Sequence, residues 1–338
     1  MSTTTTFSSF HDAYLAILRE VRSRPLNVID ARGRWSREIP NVSFVLTNPV
    51  ERIPFLESRR PDIALCVAAS LGMLESRNDT AVINHYHPGR NASTNITSSR
   101  EDAAYIIQLG SLDPGTNSNS VEAIIAMMAD DPRTEAAIIP IIGPDTPGRI
   151  PSRAADHPSS IQFLHRDDRL HCVVQIHTED AYVQLPRSVF SCTLIQEYVA
   201  RRLGVAVGAY RHHVDSLHVQ ERDTYHLAEA IREVTRWGYT PPAFTLPAMP
   251  TDARNGLATA LLWEHQLRTN QRATAPSDPE LRGIDPYWRN IILLLEIDRQ
   301  VKIHQNRIFD AGVFQALHPA YRWLVAHDWP ARLPPYLR

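Results

Sequence analysis

Lysine is all but missing from this chain: Lys302 is the single one among its 35 lysine and arginine residues. Every other is arginine, a preference that reads as the codon bias of a GC-rich genome and marks no site. Cysteine is scarce too. Cys66, Cys172 and Cys192 stand singly in apolar surroundings, and no C-x-x-C pair occurs. That excludes a disulfide framework and predicts buried free thiols in a reducing compartment. No apolar run is long enough to span a bilayer. The leading MSTTTTFSSF has neither the basic region nor the apolar core of a signal peptide, so residues 1–10 read as a disordered lead and the protein as cytoplasmic. A net charge of −2 and a pI near 6.7 leave no electrostatic footprint for nucleic acid or a membrane surface. His177, His212, His213 and His218 invite a metal reading, yet no H-x-x-x-H or H-E-x-x-H spacing occurs, and no metal is expected.

What is present suffices for a large core, with 43% of 338 residues hydrophobic. The most informative stretch runs from Ser159 to Asp223. Two alternating apolar runs, Ile161–His165 and Leu170–Ile176, flank Arg166-Asp167-Asp168-Arg169, which predicts a hairpin. A polar cluster, His177-Thr178-Glu179-Asp180, precedes Pro186, and a helix is expected over Val189–Leu203, stopped by Gly204. A further strand carries His212, His213, Ser216 and His218. Hydroxyl, carboxylate and imidazole groups around one buried helix are the makings of a small-molecule pocket.

Elsewhere, Phe10–Arg24 has helical spacing and ends before Pro25. A polar turn at Asp30–Trp35 leads to a strand over Val42–Leu46, and Asp62–Leu74 reads as a buried helix. Tyr86–Thr116 reads as loop with one helix near Glu101–Leu109, Val121–Ala129 as helix, Ala136–Ile142 as strand and Gly143–Ser159 as loop. After Asp223 the expectation is a helix over Thr224–Trp237, a proline-rich connector, a helix over Asn255–Leu267 and a flexible polar link over Thr269–Pro279. A helix from Pro286 to Ile303 and a closing helix over Phe314–His327 complete the chain. The expected division is a core over 11–240 and a helical C-terminal extension over 241–338 packed on it.

From Gln162 to Gln220 the chain resembles thymidylate synthase and its relatives, the cytidylate and deoxycytidylate hydroxymethylases. The family's QF strand, DGKL turn, RSxD cluster, Pro-bearing loop, helix ending in LG and HxxGxxHxY strand follow in order and without a gap. Here they read Gln162-Phe163, Asp168-Arg169-Leu170, His177 to Asp180, Pro186, Leu203-Gly204 and His212 to Gln220. Asn48-Pro49-Val50-Glu51-Arg52 and the Asp285-Pro286-Tyr287-Trp288 tail resemble the hydroxymethylase branch. The resemblance implies an α/β (α+β) thymidylate-synthase-like fold, a large mixed β-sheet flanked by helices with a helical C-terminal extension.

It also implies a site, from which this chain departs. The family's nucleophilic cysteine falls on His157 or, with a gap, on Ser159 in Asp156-His157-Pro158-Ser159. Two readings stand there, a Ser159/His157 nucleophile or an ordinary loop serine and histidine. The glutamate acid–base position is Ala69 and the tryptophan position Gly72. The phosphate-binding arginine of RSxD is His177, the arginine pair is reduced to Arg133, and Arg32 or Arg34 stands at the N-terminal phosphate loop. The base-reading position is Ser188, and the sugar-contacting histidine and tyrosine are His218 and Gln220. Gln162, Thr178, His212 and Ser216 complete the substrate set. Asp180 matches the aspartate of the folate-side network and is also a candidate catalytic group. The expected ligand is a nucleoside-like heterocycle, with 5,10-methylenetetrahydrofolate as the implied co-substrate. One-carbon transfer would then proceed without a cysteine adduct. The expected assembly is a homodimer, or a heterodimer with a paralogue, and the alternative function is that of a non-catalytic partner subunit.

Overall fold

A computed structural model of the chain describes residues 5–30, 35–75, 80–86, 119–140, 158–303 and 308–337. The chain opens with strand β1 (Thr5–Phe7), helix α1 (Phe10–Ser23) and strands β2 (Asn27–Asp30) and β3 (Trp35–Leu46). The expected disordered lead is therefore corrected from residue 5 onward: Thr5–Phe7 pairs in parallel with Phe44–Leu46, and Phe10 is fully buried. Ser9 caps α1 by accepting from the Asp12 amide, a bond that satisfies a donor the first turn cannot use internally. Helices α2 (Ile63–Leu74), α3 (Thr80–Tyr86) and α4 (Ser120–Asp130) follow, then β4 (Ile138–Pro140). The helix expected at Glu101–Leu109 lies outside the described residues.

The central stretch comprises β5 (Pro158–Arg166), β6 (Arg169–Asp180), α5 (Leu185–Leu203) and β7 (Ala206–Gln220). Arg166 pairs with Arg169, and Asp167 and Asp168 both take left-handed backbone, φ 52° and 55°. Two such residues make the turn whose twist matches a hairpin, and aspartate tolerates that conformation better than most side chains. The polar cluster His177–Asp180 forms the last four residues of β6. Helix α5 begins at Leu185, four residues before the expected start, because Pro186 stands in its first turn, where no amide donor is needed. Gly204 closes it at φ 72°, and the Val205 amide returns to Ala200 O at 3.0 Å.

Seven strands form one mixed sheet among the described residues, in the order β1-β3-β7-β6-β5-β4 with β2 also on β3. The β6–β7 and β1–β3 pairs are parallel and the others antiparallel. The β6–β7 register shifts between Leu170 and Cys172. Gln196 of α5 meets the carbonyls there, donating Nε2 to Leu170 O at 2.9 Å and Gly208 O at 3.1 Å. Nearly every side chain of α5 from Val189 to Ala200 is buried, the pattern of a helix enclosed on all sides.

One irregularity sets up the site. Ile176 pairs with Val214 and Thr178 with Ser216, while Val214 pairs with Val42 and Ser216 with Pro40. At the level between lie His177, Asp215 and Asn41, the last with φ 57°. Across this row the alternation changes phase. Buried positions are even before it (Cys172, Val174, Ile176; Tyr210, His212, Val214) and odd after it (Glu179; Leu217, Val219). A kink of this kind re-aims side chains on several strands at once.

The remaining helices are α6 (Thr224–Thr235), α7 (Ala253–Arg268), α8 (Pro286–Ile303), α9 (Ala311–Ala316) and α10 (Pro319–Asp328). The single closing helix expected at Phe314–His327 is two. Pro319 starts the second, and the His318 ring accepts from the Ala320 amide. The link over Thr269–Pro279 is pinned rather than flexible: Arg272 bonds Asp278 at 2.8 Å and Glu280 at 2.6 Å, and lies 3.9 Å from the Trp263 ring centroid. Helices α7 and α8 cross closely at Gly256, where an added Cβ would fall 1.9 Å from Trp288 Nε1. Gly256→Ala should therefore lower stability by about 1–3 kcal/mol through overpacking, overriding a helix-propensity gain of about 1 kcal/mol. A thermal melt checks this, and a melting point at or above that of the parent would sink the argument.

Candidate functional site

Beyond the kink, strands β6, β7 and β3 place a polar strip on one face of the sheet. Thr178 and Asp180 of β6 pair with Ser216 and His218 of β7. Those in turn face Pro40 and Glu38 of β3, and Gln220 faces Ser36. Paired residues share a face, so four candidates from separate motifs, Thr178, Asp180, Ser216 and His218, become neighbours. Ser216 donates its hydroxyl to Glu38 Oε1. Glu38 is a participant that sequence reasoning missed, because β3 was expected to begin only at Val42.

Asp180 sits where β6 turns into α5 and is 3% exposed. Its Oδ1 accepts the Tyr182 and Val183 amides, both at 2.8 Å, while its own amide donates to Gln184 Oε1 at 2.7 Å. Asp180 thus shapes the entry to α5. Its second oxygen, Oδ2, is buried without a hydrogen-bond partner among the described residues. An orphaned carboxylate oxygen is costly unless a ligand or water supplies a donor. Asp223, at the start of α6, is also buried, and burial followed by the nearby Asp180 charge pushes its carboxyl pKa up. Arg59 approaches from the other side, donating Nε to Tyr182 O at 2.9 Å, with its guanidinium 5.0 Å from the Tyr182 ring centroid.

On the opposite, helix-facing side lies a second, enclosed polar group. Ser188 donates to Glu179 Oε1, and His212 Nε2 meets Glu179 Oε2 at 2.9 Å. His212 Nδ1 lies 2.7 Å from the Tyr210 hydroxyl, and Phe44 stacks on the ring at 5.0 Å. Ser188 and Glu179 are 0% exposed and His212 1%. Ser188 and His212, expected to bind substrate, are enclosed here and hydrogen-bonded within the fold. Neither Glu179 nor Tyr210 was anticipated, because the phase change that turns Glu179 inward has no local sequence mark.

The other candidates fall apart spatially. Gln162 donates Nε2 to Glu135 O at 2.9 Å, fastening β5 to the segment before β4. His177, largely exposed, meets Asp215 at 2.9 Å. Arg133 is exposed. His157, Arg32 and Arg34 lie outside the described residues, and Ser159 is described only as strand backbone.

All three cysteines of the chain are buried. Burial pushes the Cys66 and Cys192 thiols up to about 12 and Cys172 well above the ordinary thiol value. A thiolate nucleophile of the family's type is thus not supplied by any cysteine here. Native protein should resist iodoacetamide from pH 7 to 9 and react in denaturant. Rapid labelling of one thiol in the native state, read by mass spectrometry, would overturn that.

No family model matches the chain. It is similar to a putative thymidylate synthase of Methanocaldococcus jannaschii, 28% identical over 78 residues, which are 23% of this chain and 35% of the relative. A thymidylate synthase of Symbiobacterium thermophilum is 31% identical over 86 residues, 25% of this chain and 29% of that one. These matches span about a third of the curated relatives' length. The solved structure of the thermostable thymidylate synthase A from Bacillus subtilis superposes with a TM-score of 0.53 at 17% identity, covering 73% of this chain and 91% of that chain. The chain has the thymidylate-synthase fold. In this chain β6, α5 and β7 make the frame described above, which carries the polar strip. No described helix is long and apolar enough to cross a membrane.

Proposed function

We propose that this protein is a divergent one-carbon transferase of the thymidylate-synthase type. It binds a nucleoside-like heterocycle against the Thr178–Asp180–Ser216–His218 strip and works without a cysteine adduct. The observation that carries the reading is the buried Oδ2 of Asp180, without a hydrogen-bond partner among the described residues, an acceptor at the end of the strip. The ring N–H groups of a reduced folate are donors of the kind this oxygen lacks, so the residues present fit methylenetetrahydrofolate as co-substrate. When bound, that group supplies the one-carbon unit. The chain's own part is to orient ring donors through Asp180, whose position is held by two backbone amides. Without a thiolate the accepting ring carbon must be nucleophilic already, as in a ring whose amino group makes it an enamine. The sheet face opposite α5, with half-exposed Val173, His171 and His213, supports self-association through that face as a homodimer or with a paralogue.

A second reading, a non-catalytic subunit, draws on Ser188 and His212 being absorbed into the core. Calorimetry separates the two. Tetrahydrofolate and pyrimidine nucleosides, added singly and together, should bind with micromolar to millimolar affinity, and Asp180→Asn should weaken the folate. No binding by either, alone or in combination, would sink the transferase reading and leave the subunit reading.

A further inference from the structure

Resting on the nucleoside reading just given, we infer that the substrate of this protein carries no phosphate: the chain's own Asp215 carboxylate fills the anion position. The observation lies in the kink row. Gln175 donates Nε2 to Asp215 Oδ1 at 2.7 Å, and His213 Nε2 meets the same oxygen at 3.2 Å. His177 Nδ1 meets Oδ2 at 2.9 Å. Ser43 lies behind, its hydroxyl 3.2 Å from His213 Nδ1. Donors from β6 and β7 thus converge on one carboxylate, an arrangement suited to an anion and already satisfied from within.

His177 stands where the family resemblance puts a phosphate-binding arginine. An arginine there would bring a permanent charge and a forked donor. His177 brings one imidazole, and Asp215 has engaged it. Among the described residues the local charge also runs the wrong way for a phosphate. Asp215 is joined on the same stretch of sheet by Glu38, which holds Ser216. The neighbouring cation on β3, Arg37, is paired with Glu221 at 3.2 Å. Arg211, the one arginine on β7, lies before the kink, opposite Val45. A phosphate dianion set beside Asp215 meets a like charge at contact range, which disfavours it by about tenfold or more. A neutral sugar hydroxyl or a cationic substituent meets an acceptor instead.

Titration calorimetry on the full chain tests this with matched pairs: deoxyuridine against deoxyuridine 5′-monophosphate, and cytidine against cytidine 5′-monophosphate, at pH 8 and fixed ionic strength. The nucleoside of a pair should bind at least about tenfold more tightly than its monophosphate. In Asp215→Asn that ratio should fall by about tenfold, and in Asp215→Asn combined with His177→Arg it should reverse. A monophosphate that binds the parent protein as tightly as its nucleoside overturns this inference and leaves the nucleoside reading standing. No binding by any of the four ligands overturns the nucleoside reading, and the inference with it. The parent comparison decides the matter even where a variant does not fold.

Discussion

Replacing Glu197 with alanine should cost the fold about 3–5 kcal/mol, the usual price of breaking a buried ion pair from one side. Glu197 of α5 accepts from Arg52 Nη2 through Oε2 and from the Met249 amide through Oε1 at 2.8 Å. Arg52 and Glu197 are both buried. Burial works against the Arg52 charge, but Glu197, with smaller help from Tyr287, more than restores it, so its pKa lies above the ordinary guanidinium value. Among the described residues no second buried carboxylate bonds the guanidinium: Tyr287 bonds it through its hydroxyl, Phe190 lies 5.9 Å away, and Arg52 Nε is already buried without an acceptor. Removing the carboxylate strands a charge and an amide together. The pair links the segment after β3, helix α5 and the connector before α7, so the loss should appear as a lower urea midpoint of one cooperative transition. Because desolvation consumes much of a buried pair's attraction, Arg52→Met with Glu197→Leu should recover a large part of the loss. If the double replacement is as unstable as Glu197→Ala alone, the stranded charge is not the cause.

The frame around this pair was legible in the sequence because each of its signals is local. The Asp167–Asp168 turn, the Gly204 stop and the apolar spacing of α1 are short patterns with one physical reading each. The order of motifs from Gln162 to Gln220 then pointed to the fold. What was not legible depends on partners brought from elsewhere. The start of α5 needed Pro186 to be recognised as a first-turn residue of a helix entered through the Asp180 amide contacts. The pinned link over Thr269–Pro279 needed Arg272, whose partners Asp278, Glu280 and Trp263 are visible as residues but not as a set. Above all, the row His177–Asp215–Asn41 changes which face every later side chain occupies. A strict alternation carried through β6 from Ile176 would send Glu179 outward and Asp180 inward. The fold sends Glu179 to the core and leaves Asp180 to the strip, and with that exchange Ser188 and His212 bond Glu179 on the helix-facing side.

That exchange makes Glu179→Ala the second substitution with a large expected effect, again about 3–5 kcal/mol. Alanine would leave the Ser188 hydroxyl and His212 Nε2, both wholly enclosed, without the acceptor they share, and an unmade buried bond costs about 1–3 kcal/mol for each group. Phe44 holds the imidazole from above and Tyr210 holds its other nitrogen at 2.7 Å, so the ring has no room to turn toward water. Ser188→Ala separates a core role from a ligand-binding one. It removes one bond to a carboxylate, so stability should fall by about 1.5–3 kcal/mol, while nucleoside affinity in the folded protein should stay within about twofold. A Ser188→Ala protein of parental stability that no longer binds nucleoside would return this hydroxyl to the ligand. It would also mean that Glu179 turns outward when substrate arrives. With the expected result, the helix-facing group Ser188–Glu179–His212–Tyr210 is a buried polar staple between α5 and the sheet. Recognition is then confined to the strip on the other side of β6 and β7.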